Sequence, residues 1–181
     1  MAIDKNRKRQ QNQANRGRNS SFWRRWLTRR LIARLRTKSV EMRTYILQTL
    51  GKVGDESALP VLLDTARDND NNIRRFAVSA LADFRSVDAL IAALKDSESD
   101  IRATAAMSLG LLGDRSAENA LIELLGDSDV SVRSQAVIAL GHLGSNHALF
   151  MLNQMISTES NEWMRRYISQ AIREIEGGIY S

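Results

Sequence analysis

Apolar residues recur along this chain at helical spacing, in five blocks that align without gaps. They are MRTYILQTLGKVGD from Met42, IRRFAVSALADFRS from Ile73, IRATAAMSLGLLGD from Ile101, VRSQAVIALGHLGS from Val132 and MRRYISQAIREIEG from Met164. Each block carries an arginine at its second position, Arg43, Arg74, Arg102, Arg133 and Arg165, with separations of 31, 28, 31 and 32 residues. A period in this range marks stacked supersecondary units. Three residues after each arginine stand Ile46, Ala77, Ala105, Ala136 and Ile168, and seven after it Leu50, Leu81, Leu109, Leu140 and Ile172. Both columns fall on one helical face. The residue before the large one is small (Thr49, Ala80, Ser108, Ala139, Ala171), which lets neighbouring helices approach closely. Gly54, Gly113 and Gly144 fall where each helix must stop.

A second, shorter apolar segment follows each turn, from Ala58, Ala89, Ala120 and Ala148, with Pro60 placed in the first turn of its helix. The linkers Asp68–Asn72, Asp96–Asp100 and Asp127–Asp129 are polar and acidic and offer N-cap oxygens to the next helix. Period-two alternation is absent, so the pattern predicts an all-α solenoid of two-helix repeats. The second block reads Phe84-Arg85-Ser86-Val87 where the first and third carry Gly-Asp, and its repeat is three residues short. That is either a harmless shortening or a local change of superhelix curvature.

The pattern apolar-Arg-x-x-Ala…Ala-Leu-Gly-x-Leu-Gly-Asp…Ala-Leu…Leu-Leu-x-Asp resembles HEAT repeats, in particular the short bacterial variety associated with phycobilisome lyases. It covers residues 39–177 in about four and a half repeats. The resemblance implies a ladder in which a loop carboxylate pairs with the helix arginine six residues on: Asp68 with Arg74, Asp96 with Arg102, Asp127 with Arg133, and Glu159 with Arg165. Thr37 holds the slot before Arg43, so the ladder is expected to start one unit later. These pairs read as structural, holding each linker at a fixed angle. The resemblance also implies one enzymatic alternative, a subunit of a bilin lyase acting on phycobiliproteins, although its relatives are longer and no bilin-binding residue maps onto this chain.

Composition narrows the chemistry. The chain has 181 residues, 43% hydrophobic and 26% charged, without cysteine. Disulfides, thiolate metal sites and cysteine nucleophiles are thereby excluded. The two histidines, His142 and His147, are five apart, off the three- or four-residue spacing of helical metal pairs. The Gly-x-x-Gly pairs recur with the repeat as helix ends, and neither a phosphate loop nor a nucleophile elbow is present. Catalytic residues, metal and cofactor are therefore all expected to be absent.

Charge divides the chain in two. Residues 1–38 carry 13 Lys/Arg against one acidic residue, a net +12, and residues 39–181 carry 13 against 20, a net −7. Residues 1–20 are expected to form a disordered basic tail that meets an anionic partner through Lys5, Arg7, Lys8, Arg9, Arg16 and Arg18. Residues 21–38 predict a basic helix capped by Ser21, with Trp23, Leu27, Leu31, Ile32 and Leu35 over half the wheel and Arg25, Arg29 and Arg36 on the other half. Three readings of that helix are open: a cap on the first repeat, a contact to RNA or DNA, and adsorption to an anionic membrane surface. One helix can cap with one side and present Arg25, Arg29, Arg30 and Arg36 with the other. No apolar stretch reaches spanning length and no secretory signal opens the chain, so a cytoplasmic location is expected, with peripheral membrane or nucleoprotein association open. An Arg-rich start also resembles an organelle transit peptide.

The functional expectation is a non-enzymatic scaffold that binds a protein partner along the solenoid, anchored by the arm. The alternatives are an RNA- or DNA-binding component acting through the arm, and the bilin lyase subunit. On the concave face, expected to be lined by the second helix of each repeat, the contact candidates are Asp64, Arg67, Lys95, Glu123 and Gln154. Trp163 and Tyr167 are expected to belong to a terminal cap.

Overall fold

A computed structural model describes residues 21–177, and ten α-helices account for most of them. After α1 (residues 21–34) come α2 (Val40–Val53) and α3 (Leu59–Thr65), then α4 (Asn71–Asp83) and α5 (Val87–Ala93). They continue with α6 (Ser99–Leu112) and α7 (Glu118–Glu123), α8 (Val130–His142) and α9 (Ala148–Thr158), and end on α10 (Glu162–Glu176). The first helices of the repeats, α2, α4, α6, α8 and α10, pack in one row, each on the next. The second helices α3, α5, α7 and α9 lie beside that row, each packed on the first helix of the next repeat, α5 also on α4.

The columns read from the sequence are the core. Ile46, Leu50, Ala77, Leu81, Ala105, Leu109, Ala136, Leu140 and Ile168 are all buried. Ile172 breaks the column by staying half-buried at the edge of the core. From the second helices Leu62, Leu90, Leu121 and Leu152 close the core.

Helix ends are built as the linkers suggest, with one difference. Asp70 caps α4 by accepting from the Asn72 and Ile73 N–H groups at 2.9 and 3.2 Å, and Asp129 caps α8 in the same way from Ser131 and Val132 at 2.7 and 3.4 Å. Ser39 and Asn161 cap α2 and α10. The linker before α6 departs, since Glu98 stands at its N-cap without a side-chain cap. Gly54, Gly113 and Gly144 turn the chain with φ of 62°, 68° and 61°. In the short second repeat Arg85 does this with φ of 52°, a left-handed conformation that disfavours a side chain. Its guanidinium recovers a contact by donating to the Leu112 carbonyl at the end of α6, at 3.3 Å.

α1 splits the half-wheel read from the sequence. Leu31, Ile32 and Leu35 pack on the core, whereas Trp23 and Leu27 are exposed together with Phe22 and Trp26. Thr28, on the packed side, is fully buried. The basic tail over residues 1–20, with Lys5, Arg7, Lys8, Arg9, Arg16 and Arg18, lies outside the described residues.

Candidate functional site

Two features run the length of the solenoid: the arginine ladder in the linkers and a set of grooves along the second helices. In the ladder the carboxylates pair one repeat earlier than the resemblance implied. Arg74 Nε and Nη2 donate to both oxygens of Asp96 at 2.9 and 3.0 Å, and Arg102 Nε and Nη2 to both oxygens of Asp127 at 2.7 and 2.8 Å. Arg43 donates to Asp68. The ladder therefore starts at Arg43, not one unit later, because its acceptor lies in the following linker and the Thr37 slot is not used.

The arginine six residues after each carboxylate does meet that linker, but through its backbone. Arg74 donates to the Asp68 carbonyl at 2.9 Å, Arg102 to the Asp96 carbonyl at 2.8 Å and Arg133 to the Asp127 carbonyl at 2.8 Å. Arg165 reaches the Glu159 carbonyl at 3.3 Å. Each linker carboxylate also folds its own turn by accepting from the N–H two residues on. Asp70, Glu98 and Asp129 are the donors, each at 2.9 Å. One carboxylate thus joins the preceding helix to the following loop.

Repeat length explains the spacing. Arg43 and Arg102 bond carboxylates 25 residues on, and Arg74 bonds one 22 residues on, so the three missing residues of the second repeat leave the ladder intact. The step from Arg133 to Glu159 would be 26 residues and has no ion pair among the described residues. Glu159 instead accepts from the Asn161 N–H at 2.8 Å.

The ladder carboxylates sit below their ordinary value of 3.8. At Asp127 the Arg102 hydrogen bond leads, against burial, with the Asp129 N–H and the Arg102 charge adding to it. At Asp96 and Asp68 burial is the largest influence and pushes upward. It is outweighed at Asp96 by Arg74 and the Glu98 N–H, and at Asp68 by the Asp70 N–H and Arg43. A carboxyl depressed in the folded state contributes stability that is present above its unfolded value and lost as pH falls through the folded one. From these groups the urea midpoint is expected to be level between about pH 5 and 8 and to fall below about pH 4. Asp127→Asn should make that acid fall shallower; an equally steep fall would remove the ladder from the account.

The five contact candidates are all exposed, Asp64, Glu123 and Gln154 on second helices and Arg67 and Lys95 in the turns that end α3 and α5. Arg67 and Lys95 line one groove between α3 and α5, of about 270 Å³, beside the Arg74–Asp96 pair and with Leu63 and Ala92 as apolar wall. Glu123 and Gln154 line a larger groove between α7 and α9, of about 790 Å³, whose apolar wall is Ile122, Leu125, Met151 and Met155. Asp64 lines neither. Met151 and Met155 escape a reading based on charge alone, although methionines one turn apart on the outer side of a second helix are the signal that marks them.

On α1, Arg25, Arg29 and Arg30 are exposed, as is Arg36 in the turn that follows it. Arg25 and Arg24 lie near Asp55, whose carboxyl is lowered chiefly by the Ser57 hydroxyl and, more weakly, by those two charges. The Arg30 guanidinium covers the Trp26 ring at 5.0 Å. On α10 Met164, Ile168, Ala171 and Ile175 close the last repeat, while Trp163 and Tyr167 face outward and Arg166 covers the Trp163 ring at 4.9 Å. Among the described residues no group of three or more metal-ligating side chains converges, and no helix is long and apolar enough to cross a membrane.

The family model for HEAT repeats matches residues 28–91 and 87–173. The first of these spans takes in the part of α1 that packs on the core. Among solved structures, a chain of the CpcE–CpcF complex of phycocyanin lyase from Nostoc sp. PCC7120 is 25% identical, with a TM-score of 0.69. That match covers 83% of this chain and 65% of the other, so the present chain spans just under two thirds of that relative. A designed armadillo repeat protein in complex with the peptide (KR)4 is 17% identical with a TM-score of 0.60, over 80% of each chain. An engineered protein is 18% identical with a TM-score of 0.59, over 82% of this chain and 78% of its own. The last two likenesses concern the fold alone. None of the curated proteins compared with the chain matches it. With five aligned blocks, a packed row of first helices and a family match over most of its length, the chain belongs to the HEAT-repeat family.

Proposed function

We propose that this protein is a non-catalytic interaction scaffold that holds a segment of a protein partner along its second helices. The groove between α7 and α9 carries the reading: it is open, about 790 Å³ in volume, and walled by Ile122, Leu125, Met151 and Met155. Methionines adapt their shape to an incoming apolar side chain, which suits a surface that must take up a partner's residues. Arg67 and Lys95, toward the other end of the row, favour an acidic stretch of the same partner. The basic N-terminal arm is the second point of attachment, to an anionic partner.

A photo-crosslinking residue at position 154, on the groove, is expected to capture a defined protein in the host. The same residue at position 107, on the exposed side of α6, should not. Met151→Asp together with Met155→Asp should abolish the capture. Equal crosslinking at both positions, or crosslinking at 107 alone, would overturn the reading.

The 25% identity to a chain of the phycocyanin lyase complex favours a second reading, in which this protein pairs with another chain to act on a bilin. An absorption change on mixing with that chain and a bilin-bearing phycobiliprotein would establish it. The scaffold reading predicts none. A nucleic-acid role for the arm is distinguished by captured material that disappears with nuclease and with removal of residues 1–38.

A further inference from the structure

We infer that α1 docks this protein on an anionic lipid bilayer, with Phe22, Trp23, Trp26 and Leu27 in the headgroup layer and its arginines on the lipid phosphates. Two apolar faces share this one helix. Leu31, Ile32 and Leu35 pack on the solenoid core, and the other face is left to solvent, with Phe22 64%, Trp23 60% and Trp26 41% exposed. Capping uses only the first set, and among the described residues the second is not part of the core.

The occupant follows from charge and from ring geometry. Residues 21–38 carry seven Lys/Arg and no carboxylate, so the surface that covers this face must be anionic. Nucleic acid meets the charge requirement but suits the ring geometry less well. Bases stack on open ring faces. Here Phe22 and Trp23 meet edge to face at 6.1 Å, Trp23 and Trp26 do the same at 5.5 Å, and the face of Trp26 carries the Arg30 guanidinium. A compact aromatic patch with Leu27 beside it and arginines around it matches the boundary between headgroups and acyl chains, where Trp and Arg sit side by side. The helix lies along the surface, since no described helix can span a bilayer. The inference is independent of the groove on α7 and α9.

The test uses the nuclease-treated full chain in flotation with phosphatidylcholine vesicles, with and without phosphatidylglycerol. Binding is expected only with the anionic lipid, and tryptophan emission should shift to the blue even in a Trp163→Phe background. Trp23→Ser with Trp26→Ser should lower the partition coefficient by about tenfold while every charge, including those of residues 1–20, is retained. The thermal melt of that variant should move by no more than a few degrees, because the two rings are 60% and 41% exposed and pack on each other, on Phe22 and under Arg30. Met151→Asp should leave vesicle binding as it is. Flotation of the double variant equal to that of the parent would overturn the inference, since charge alone would then suffice. Displacement from vesicles by single-stranded RNA that binds through the same two tryptophans would overturn it too, in favour of a nucleic-acid partner.

Discussion

Replacing Arg102 by methionine should lower the free energy of unfolding by about 3 kcal/mol, as measured by urea denaturation. The methionine keeps most of the apolar stem, so the loss is that of the guanidinium. Four hydrogen bonds disappear with it: two to Asp127 at 2.7 and 2.8 Å, one to the Asp96 carbonyl at 2.8 Å and one to the Ser97 carbonyl at 3.0 Å. The two side chains of the pair are only 14% and 11% exposed, so solvent replaces those bonds poorly and Asp127 keeps only the Asp129 N–H and the weaker pull of the Arg133 charge. Asp127→Asn should therefore cost about 2 kcal/mol in the parent and close to nothing once Arg102 is gone, the signature of a coupled pair. Arg166 is the control. Its bond to Glu162 at 2.7 Å is as short, but the side chains are 63% and 77% exposed. Arg166→Met should move stability by less than about 0.5 kcal/mol. Equal effects at Arg102 and Arg166 would show that the ladder does not hold the repeats together. Because α6 and α8 belong to successive repeats of a nearest-neighbour stack, the Arg102 variant is also expected to unfold less cooperatively, with a lower denaturant slope.

A single methyl group at Gly110 should cost about 2 kcal/mol. A Cβ there would lie 2.7 Å from Ala139 Cα and 2.8 Å from Ala139 Cβ. Both atoms are fixed to the α8 helix, so α6 and α8 would have to move apart, undoing the row on both sides. The cost is a net figure, since the clash must first offset the roughly 1 kcal/mol that alanine gains over glycine inside a helix. Gly51→Ala is the comparison: there the tightest neighbour is the carboxylate end of Asp83, which can rotate away, and the next is Ala80 Cα at 3.2 Å. That variant should melt within a few degrees of the parent, and Gly110→Ala well below it. If both are tolerated alike, the close approach of α6 and α8 is not a constraint on the fold.

The difference between these two glycines shows where sequence reasoning stops. Gly51 and Gly110 occupy the same column of the repeat, and the sequence reads both alike, as part of a helix end. Only the neighbour's position, the free end of Asp83 at one and the backbone of Ala139 at the other, separates a tolerant site from an intolerant one. The ladder behaves alike. Its residues were legible as a recurring Asp and Arg six apart, yet the carboxylates belong to the arginine one repeat earlier, 22 or 25 residues away. The groove residues Glu123 and Gln154 were legible as exposed polar positions, whereas Met151 and Met155, which complete the wall, were not.

By itself the sequence determined what is local or periodic: the helices, the caps that the linkers supply at Asp70 and Asp129, the buried columns, and the placing of turns at Gly54, Gly113 and Gly144. These depend on the 3.6-residue spacing and on hydrogen bonds within a few residues, which any stretch of chain carries in itself. Tertiary structure decided which carboxylate each arginine meets, which apolar side of α1 is covered, and where two second helices leave a groove. Those outcomes depend on distances between residues one repeat apart. A sequence states their chemistry, and only packing brings them within reach.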